Sequence, residues 1–198
     1  MESCDFIAEL KEGKPEAFDR LYDEFHLPLY RTALLLLENR EDAEDVLQET
    51  FVTAYLHVRE LRSAGSLKSW LFRILTREAY RVGKQARREV PVETESIGGK
   101  AAKSFTGTEG GTMQICQADL SGQQGADPAE RLEGEIFRSA LSRLDPAHRE
   151  VLVLYYYDEL STREIAAVCR CLEGTVKSRL YTARKNLQRI LEQEGYKE

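Results

Sequence analysis

Residues 89–126 hold seven of the chain's thirteen glycines, scattered among Ser, Thr and Gln with little apolar content. Such a stretch buries too little apolar surface to offset the entropy of ordering it, so it reads as a flexible linker, not a folded layer. The chain of 198 residues is thereby divided into a segment at 1–88 and another at 127–198. The first contains no glycine between positions 14 and 64, which favours long helices. Helical periodicity returns from Asp127 onward, and no internal repeat is visible. The expected fold is all-α: two small helical domains, with boundaries at 1–88 and 127–198, joined by the linker at 89–126.

In the first segment, Phe18, Leu21, Tyr22, Phe25 and Leu29 recur at three- and four-residue spacing and form one apolar stripe. Asn39 reads as an N-cap, with Glu41 and Asp42 in the first turn, where the helix dipole favours negative charge. The helix it opens places Ala43, Val46, Leu47, Thr50, Phe51, Ala54 and Val58 on one face. Asp42, Asp45, Gln48, Glu49 and Val52 fall on the other. Gly65 breaks the pattern, and Leu67, Trp70, Leu71, Ile74 and Leu75 start another amphipathic helix. The opposite side of that helix carries Arg73, Arg77, Arg81 and Lys84, stacked at helical spacing. Trp70, in register with Leu67, Leu71 and Ile74, reads as core.

The second segment has sharper start signals. Asp127-Pro128-Ala129-Glu130 combines an N-cap, a proline at the first helical position and a capping-box glutamate. Asp145-Pro146 opens a second helix, followed by Val151, Leu152, Leu154 and Tyr155. Ser161-Thr162-Arg163-Glu164 is a capping box ahead of Ile165, Ala166 and Val168. After a break at 170–173, Val176, Leu180, Ala183, Leu187 and Ile190 form the stripe of a last helix. A short capped helix, a tight turn and a longer basic helix match a helix-turn-helix.

The net charge of −6 argues at first against nucleic acid, but binding follows the local field, not the total. Residues 68–88 carry seven basic side chains and one acid, and residues 162–189 carry seven and two. Six acids crowd between Glu38 and Glu49. The N-terminal residues of a second helix-turn-helix helix reach base edges in the major groove. That marks Thr175, Lys177, Ser178, Arg179, Tyr181, Thr182 and Arg184 as candidate DNA contacts, with Lys185 and Arg189 further on and suited to phosphates. A solvated basic face on an ordinary bundle helix is the bland alternative.

Other classes are poorly served. The longest apolar run, at 33–37, is far short of the ~20 residues that a membrane helix needs, so no membrane insertion is expected. The acidic start, Met1-Glu2-Ser3-Cys4-Asp5, is unlike a secretory signal, which leads to a cytoplasmic expectation. Cys169 and Cys171 are too close for the usual zinc pair, and His26, His57 and His148 lie far from them. The four cysteines read as small apolar side chains, with no metal and no cofactor expected. Neither a Gly-rich phosphate loop nor a metal-ligand cluster is visible, so the chain is not expected to be an enzyme.

Here a resemblance becomes specific. The run Leu160-Ser161-Thr162-Arg163-Glu164-Ile165-Ala166, then Glu173-Gly174-Thr175-Val176-Lys177-Ser178-Arg179-Leu180 and Ala183-Arg184, closely resembles region four of the extracytoplasmic-function (ECF) sigma factors. Ala17-Phe18 and Leu21-Tyr22 resemble that family's opening helix. The run from Asp42 through Glu44, Asp45, Gln48 and Glu49 to Phe51 resembles its region two core motif. Trp70-Leu71-Phe72-Arg73-Ile74 resembles the start of its promoter-melting helix. The two motif sets stand in family order and cover about two thirds of the chain.

The resemblance implies a non-enzymatic transcription-initiation subunit whose partners are RNA polymerase core, promoter DNA and an anti-sigma factor. Asp45, Gln48 and Glu49 would dock on the clamp helices of the largest polymerase subunit, and the second domain would meet the flap region. Arg73, Arg77, Arg81, Lys84, Arg87 and Arg88, with the loop at 62–69, would line the melted minus-ten element. Thr175, Lys177, Ser178, Arg179, Tyr181, Thr182, Arg184 and Lys185 would read the minus-thirty-five duplex. The linker, with seven acids and two bases from Glu89 to Glu130, would thread the polymerase cleft in place of nucleic acid.

Four positions depart from the family pattern. Arginines stand at 77 and 81, where Asn and Asp are usual. Arg170 replaces the usual turn glycine, which costs roughly 1 kcal/mol if the turn needs a left-handed residue. Leu172 replaces the usual Ser or Pro, losing a side-chain cap of about 1 kcal/mol. Rival readings are a free-standing helix-turn-helix regulator, a recombinase carrying the same motif, and a sigma-like interaction protein without promoter recognition.

Overall fold

The computed structural model describes residues 2–61, 63–89 and 128–193, with side chains described at 5–61, 63, 65–84 and 134–193. The described residues form helices and no strand. The N-terminal domain comprises α1 (Glu2–Glu12), α2 (Pro15–Leu37), α3 (Arg40–His57) and α4 (Leu67–Glu89), with short 3-10 turns at Val58–Glu60 and Ala64–Ser66. The C-terminal domain comprises α5 (Pro128–Ser142), α6 (Pro146–Leu152), α7 (Thr162–Val168) and α8 (Glu173–Gln193). The expected linker from residue 90 onward, and the expected N-cap at Asp127, lie outside the described residues.

The helix boundaries follow from their caps. Asn39 accepts the Asp42 backbone N–H at 3.1 Å, as expected of an N-cap. Pro15 and Pro146 sit in the first turns of α2 and α6, where a missing N–H costs nothing, and Asp145 caps α6 by accepting from Ala147 N at 3.0 Å. Helix α2 ends on Glu38 in the left-handed conformation (φ 61), its N–H bonded back to the Leu34 carbonyl.

In α3, Ala43, Val46, Thr50 and Ala54 are buried, so the expected inward face is the one that packs. Trp70 is 7% exposed and belongs to the core with Leu67, Leu71, Ile74 and Leu75. The expected α2 stripe holds at Leu21, Phe25 and Leu29 but not at Tyr22, which is 48% exposed. Tyr22 instead stacks on His26 at 4.9 Å and tilts against Phe51 at 5.0 Å, in an aromatic cluster at the α2–α3 surface.

Between α6 and α7 the backbone widens into a π-helical turn over Val153–Tyr157. This turn leaves Tyr155, Tyr156 and Tyr157 largely outside and carries Asp158, 5% exposed, into the molecule. Glu159 then takes a positive φ of 54°, and Leu160 bonds back to the Leu154 carbonyl. The two domains lie against each other, α4 on α7 and α2 on the π turn, α5 and α6.

Candidate nucleic-acid interface

The helix-turn-helix is built by its caps. The Ser161 hydroxyl accepts the Glu164 N–H at 3.3 Å while the Glu164 carboxylate accepts the Ser161 N–H at 2.9 Å, a complete capping box. The Ser161 hydroxyl also donates to the Glu164 carboxylate at 2.6 Å, and this bond with that from the Ser161 N–H outweighs partial burial and holds the Glu164 carboxyl below its usual range. Arg170 in the turn has φ 51, so the position does need a left-handed residue and a non-glycine fills it. Leu172 opens α8 by accepting from Thr175 and Val176 through its carbonyl, and its side chain is 79% exposed. Thr162 donates to Glu173 at 2.8 Å and Lys177 pairs with the same carboxylate at 2.8 Å, which ties the start of α8 to α7.

Helix α8 buries Val176, Leu180, Ala183 and Ile190, the expected stripe. Lys177, Ser178, Tyr181, Thr182, Arg184, Lys185 and Arg189 are exposed on the other side. Thr175 and Arg179 are half-buried. The Arg179 charge acts on Glu150 of α6. Burial raises the Glu150 carboxyl, and hydrogen bonds from Cys169 and Thr76 together with the Arg179 charge moderate the rise. Burial, then the Glu150 charge, push the Cys169 thiol far up, leaving it protonated and inert. Cys169 and Cys171 are free and packed against the core, in keeping with the apolar reading. Cys4 and Cys116 lie outside the described side chains.

On α4, Arg77, Arg81 and Lys84 are exposed and Arg73 is half-buried. Arg87 and Arg88 lie outside the described side chains, as does Arg62 of the preceding loop. Arg77 and Arg81 do not stand free, because both reach the Glu78 carboxylate, at 2.9 and 2.8 Å. Burial opposes ionisation of Glu78, but the bonds and charges of Arg81 and Arg77 prevail and keep its carboxyl below the usual range. Four cations against this one carboxylate leave the described face of α4 positive. Lys68 turns the other way and donates to the Asp158 carbonyl across the domain boundary at 2.6 Å.

Helix α3 presents the opposite sign. Asp45, Gln48 and Glu49 are exposed on the face away from Ala43 and Val46, with Val52 47% and Tyr55 58% exposed beside them. Burial, then the charges of Asp45 and Glu41, raise the Asp42 carboxyl, as expected where acids crowd one helix start. The positive surfaces of α4 and α8 and the negative surface of α3 are separate.

Sequence reasoning missed the residues that join the domains. Arg149, 7% exposed, donates to the Leu36 carbonyl at 3.1 Å, to the Glu38 carboxylate and to the Ser142 carbonyl. Thr32, fully buried, places its hydroxyl 2.9 and 3.0 Å from the two Asp158 oxygens. Beside this contact lies a cavity of about 630 Å³ lined by Phe6, Phe25, Phe72, Lys68, Asp158 and Glu159 among others. A threonine at an apolar position of α2 was the only signal in the sequence. Among the described residues no group of His, Cys, Asp and Glu could hold a metal, and no helix is long and apolar enough to cross a membrane.

Residues 21–89 match the Sigma-70 region 2 family and residues 134–187 match the Sigma-70, region 4 family. The chain is 32% identical over 176 residues to the ECF RNA polymerase sigma factor SigL of Mycobacterium tuberculosis, covering 88% of this chain and 89% of the relative. It is 29% identical over 186 residues to the ECF RNA polymerase sigma factor SigW of Bacillus subtilis, covering 93% and 94%. The sigma factor RpoE of Bartonella quintana, solved with the anti-sigma factor NepR, superposes with a TM-score of 0.61 at 28% identity, covering 88% of this chain and 96% of that one. CnrH, solved with the cytosolic domain of CnrY, shares the fold with a TM-score of 0.66 at 24% identity over 94% and 95% of the chains.

Proposed function

Because this chain belongs to the ECF RNA polymerase sigma factors, which direct polymerase to promoters, we propose that its three charged surfaces divide the work of initiation. Helix α8 reads the minus-thirty-five element in the major groove through Lys177, Ser178, Tyr181, Thr182 and Arg184, with Lys185 on the phosphates. Arg73, Arg77, Arg81, Lys84, Arg87, Arg88 and the preceding loop hold the minus-ten strand as it melts. Asp45, Gln48 and Glu49 meet the polymerase clamp helices, because a cluster of acids would repel DNA and suits a basic protein surface. Thr175 and Arg179, half-buried in the same N-terminal turns, belong to the same candidate set. The chain acts in the cytoplasm, without chemistry of its own, under an anti-sigma factor, a partner supported by the NepR complex of its relative.

The observation that carries this reading is the segregation of charge. An exposed basic helix follows a capped helix and a left-handed turn, while an exposed acidic face stands on a different element. The two faces are separated by substitution. Gln48→Ala weakens binding to core polymerase and leaves promoter preference unchanged. Lys177→Ala leaves core binding unchanged and weakens the promoter complex by about 1–3 kcal/mol. Titration of core with each variant, followed by promoter binding in the reconstituted holoenzyme, measures both. Loss of core binding by Lys177→Ala, or of neither activity by either change, contradicts the assignment.

A further inference from the structure

Lys177, Tyr181 and Arg184 follow one another along α8 at four- and three-residue spacing, and all three are exposed on one side of it. Two of them are cations, and the protein holds these in different ways. Lys177 pairs with the Glu173 carboxylate at 2.8 Å, and Glu173 also accepts from Thr162. A carboxylate cancels much of the charge that it orients. Arg184 makes no ion pair among the described residues, and its guanidinium stands instead 5.8 Å from the centre of the Tyr156 ring.

Tyr156 belongs to the π-helical turn ahead of α7 and is 59% exposed, so its ring adds little to the core. Tyr155 meets it at 79°, with the ring centroids 4.9 Å apart, an edge-on contact that steadies the plane of the ring. The face of an aromatic ring attracts a cation through its quadrupole but, unlike a carboxylate, carries no net charge. A guanidinium held by a ring is therefore oriented at its full charge. Arginine suits such a place, because its planar fork can lie on a ring and still offer N–H groups at its edge to phosphate or base acceptors.

We infer that Tyr156 is a positioning residue for promoter binding: its ring, braced by Tyr155, holds the Arg184 guanidinium in the orientation in which it meets DNA. The contact stands on the structure alone, and its use in promoter binding rests on the function proposed above. A free arginine on a helix surface samples many rotamers, and that freedom is lost when DNA is bound. The Tyr155–Tyr156 pair removes part of this loss beforehand and leaves the positive surface of α8 undiminished. Lys177, by contrast, must part from Glu173 before its charge serves DNA. The gain from Tyr156 is bounded by the strength of an exposed cation–π contact, which corresponds to about two- to fivefold in affinity.

Two substitutions separate the ring from its bulk and its hydroxyl. Tyr156→Phe keeps the aromatic face without the hydroxyl, and Tyr156→Leu keeps apolar bulk without the face. The probe is a promoter duplex recovered by run-off transcription from genomic fragments, bound to reconstituted holoenzyme. Tyr156→Phe should bind it as the wild type does, and Tyr156→Leu about two- to fivefold more weakly. Once Arg184 is replaced by alanine, Tyr156→Leu should cause no further loss, because the ring then has nothing to hold. Unchanged binding by Tyr156→Leu overturns the proposal, as does a loss that persists in full beside Arg184→Ala. An equal loss in Tyr156→Phe assigns the effect to the hydroxyl and overturns it too. Proton NMR of the full chain reads the contact without DNA. The ring current of residue 156 should shift the Arg184 δ-methylene protons upfield in wild type and Tyr156→Phe, and the shift should vanish in Tyr156→Leu. Unshifted protons in the wild type overturn the contact. If circular dichroism shows that Tyr156→Leu loses helix content, Tyr156→Met takes its place in both measurements. A wild type that yields no promoter fragment overturns the promoter reading and the part of Arg184 in it, while NMR still decides whether Tyr156 holds that side chain.

Discussion

Arg149 shows how much of this protein's architecture rests on single buried polar side chains. Its guanidinium satisfies carbonyls near the C-terminal ends of α2 and α5, where the helix dipole favours a cation, and it pairs with Glu38. Arg149→Met keeps the bulk but strands those carbonyls, so it should cost about 2–3 kcal/mol in denaturant unfolding. Arg179 makes a second, subtler case. Lys177→Ala removes an exposed pair with Glu173, worth little to stability, and should affect DNA binding alone. Arg179→Ala also removes a charge that favours the ionised Glu150 carboxyl, so it should lower unfolding stability slightly at neutral pH as well. Unfolding curves of the two variants side by side check the difference. In the sequence Arg179 groups with Lys177 because both lie in the N-terminal turns of the last helix. Two residues apart, Lys177 and Arg179 stand about 200° around the helix axis from each other, so they fall on different sides of α8 and differ in exposure.

At the scale of elements, the helices were legible because their ends carry local chemistry. Asn39, Asp145 and Ser161 each cap the helix they precede, and a cap depends on residues within one turn. Ser161→Ala should cost about 1 kcal/mol. The two departures in the helix-turn-helix give predictions of opposite sign. Arg170→Gly relieves a left-handed side chain at φ 51, and Leu172→Ser supplies the missing cap of α8. Each should stabilise the C-terminal domain by up to about 1 kcal/mol in thermal unfolding. The π turn at Val153–Tyr157 was not legible. The apolar run Val151–Leu154 continues a helical pattern through it, and nothing local distinguishes a wider turn from a regular one. The partner that makes the wide turn worthwhile, Thr32, lies 126 residues away.

At the scale of the molecule, charge segregation was legible because runs of acid and base are read directly from the chain, and the family motifs follow the same order. The arrangement of the two domains was not legible, because an interface between domains depends on pairs such as Lys68 with Asp158 that no periodicity encodes. A basic track was expected on α4, and within it Arg77 and Arg81 share the buried Glu78 carboxylate. Glu78→Gln should leave the fold intact and raise affinity for a minus-ten single strand, since it frees positive charge on that face. Fluorescence anisotropy of the holoenzyme with labelled oligonucleotide measures it, and the gain should shrink as salt rises. The central claim, that this chain delivers polymerase to promoters, meets its most direct test in run-off transcription from genomic fragments with purified core. The account requires transcripts with defined starts that depend on both the chain and core, and that fall when Gln48 or Lys177 is replaced by alanine. Tight, sequence-specific DNA binding by the chain alone at physiological salt, with no transcript in the presence of core, would contradict it.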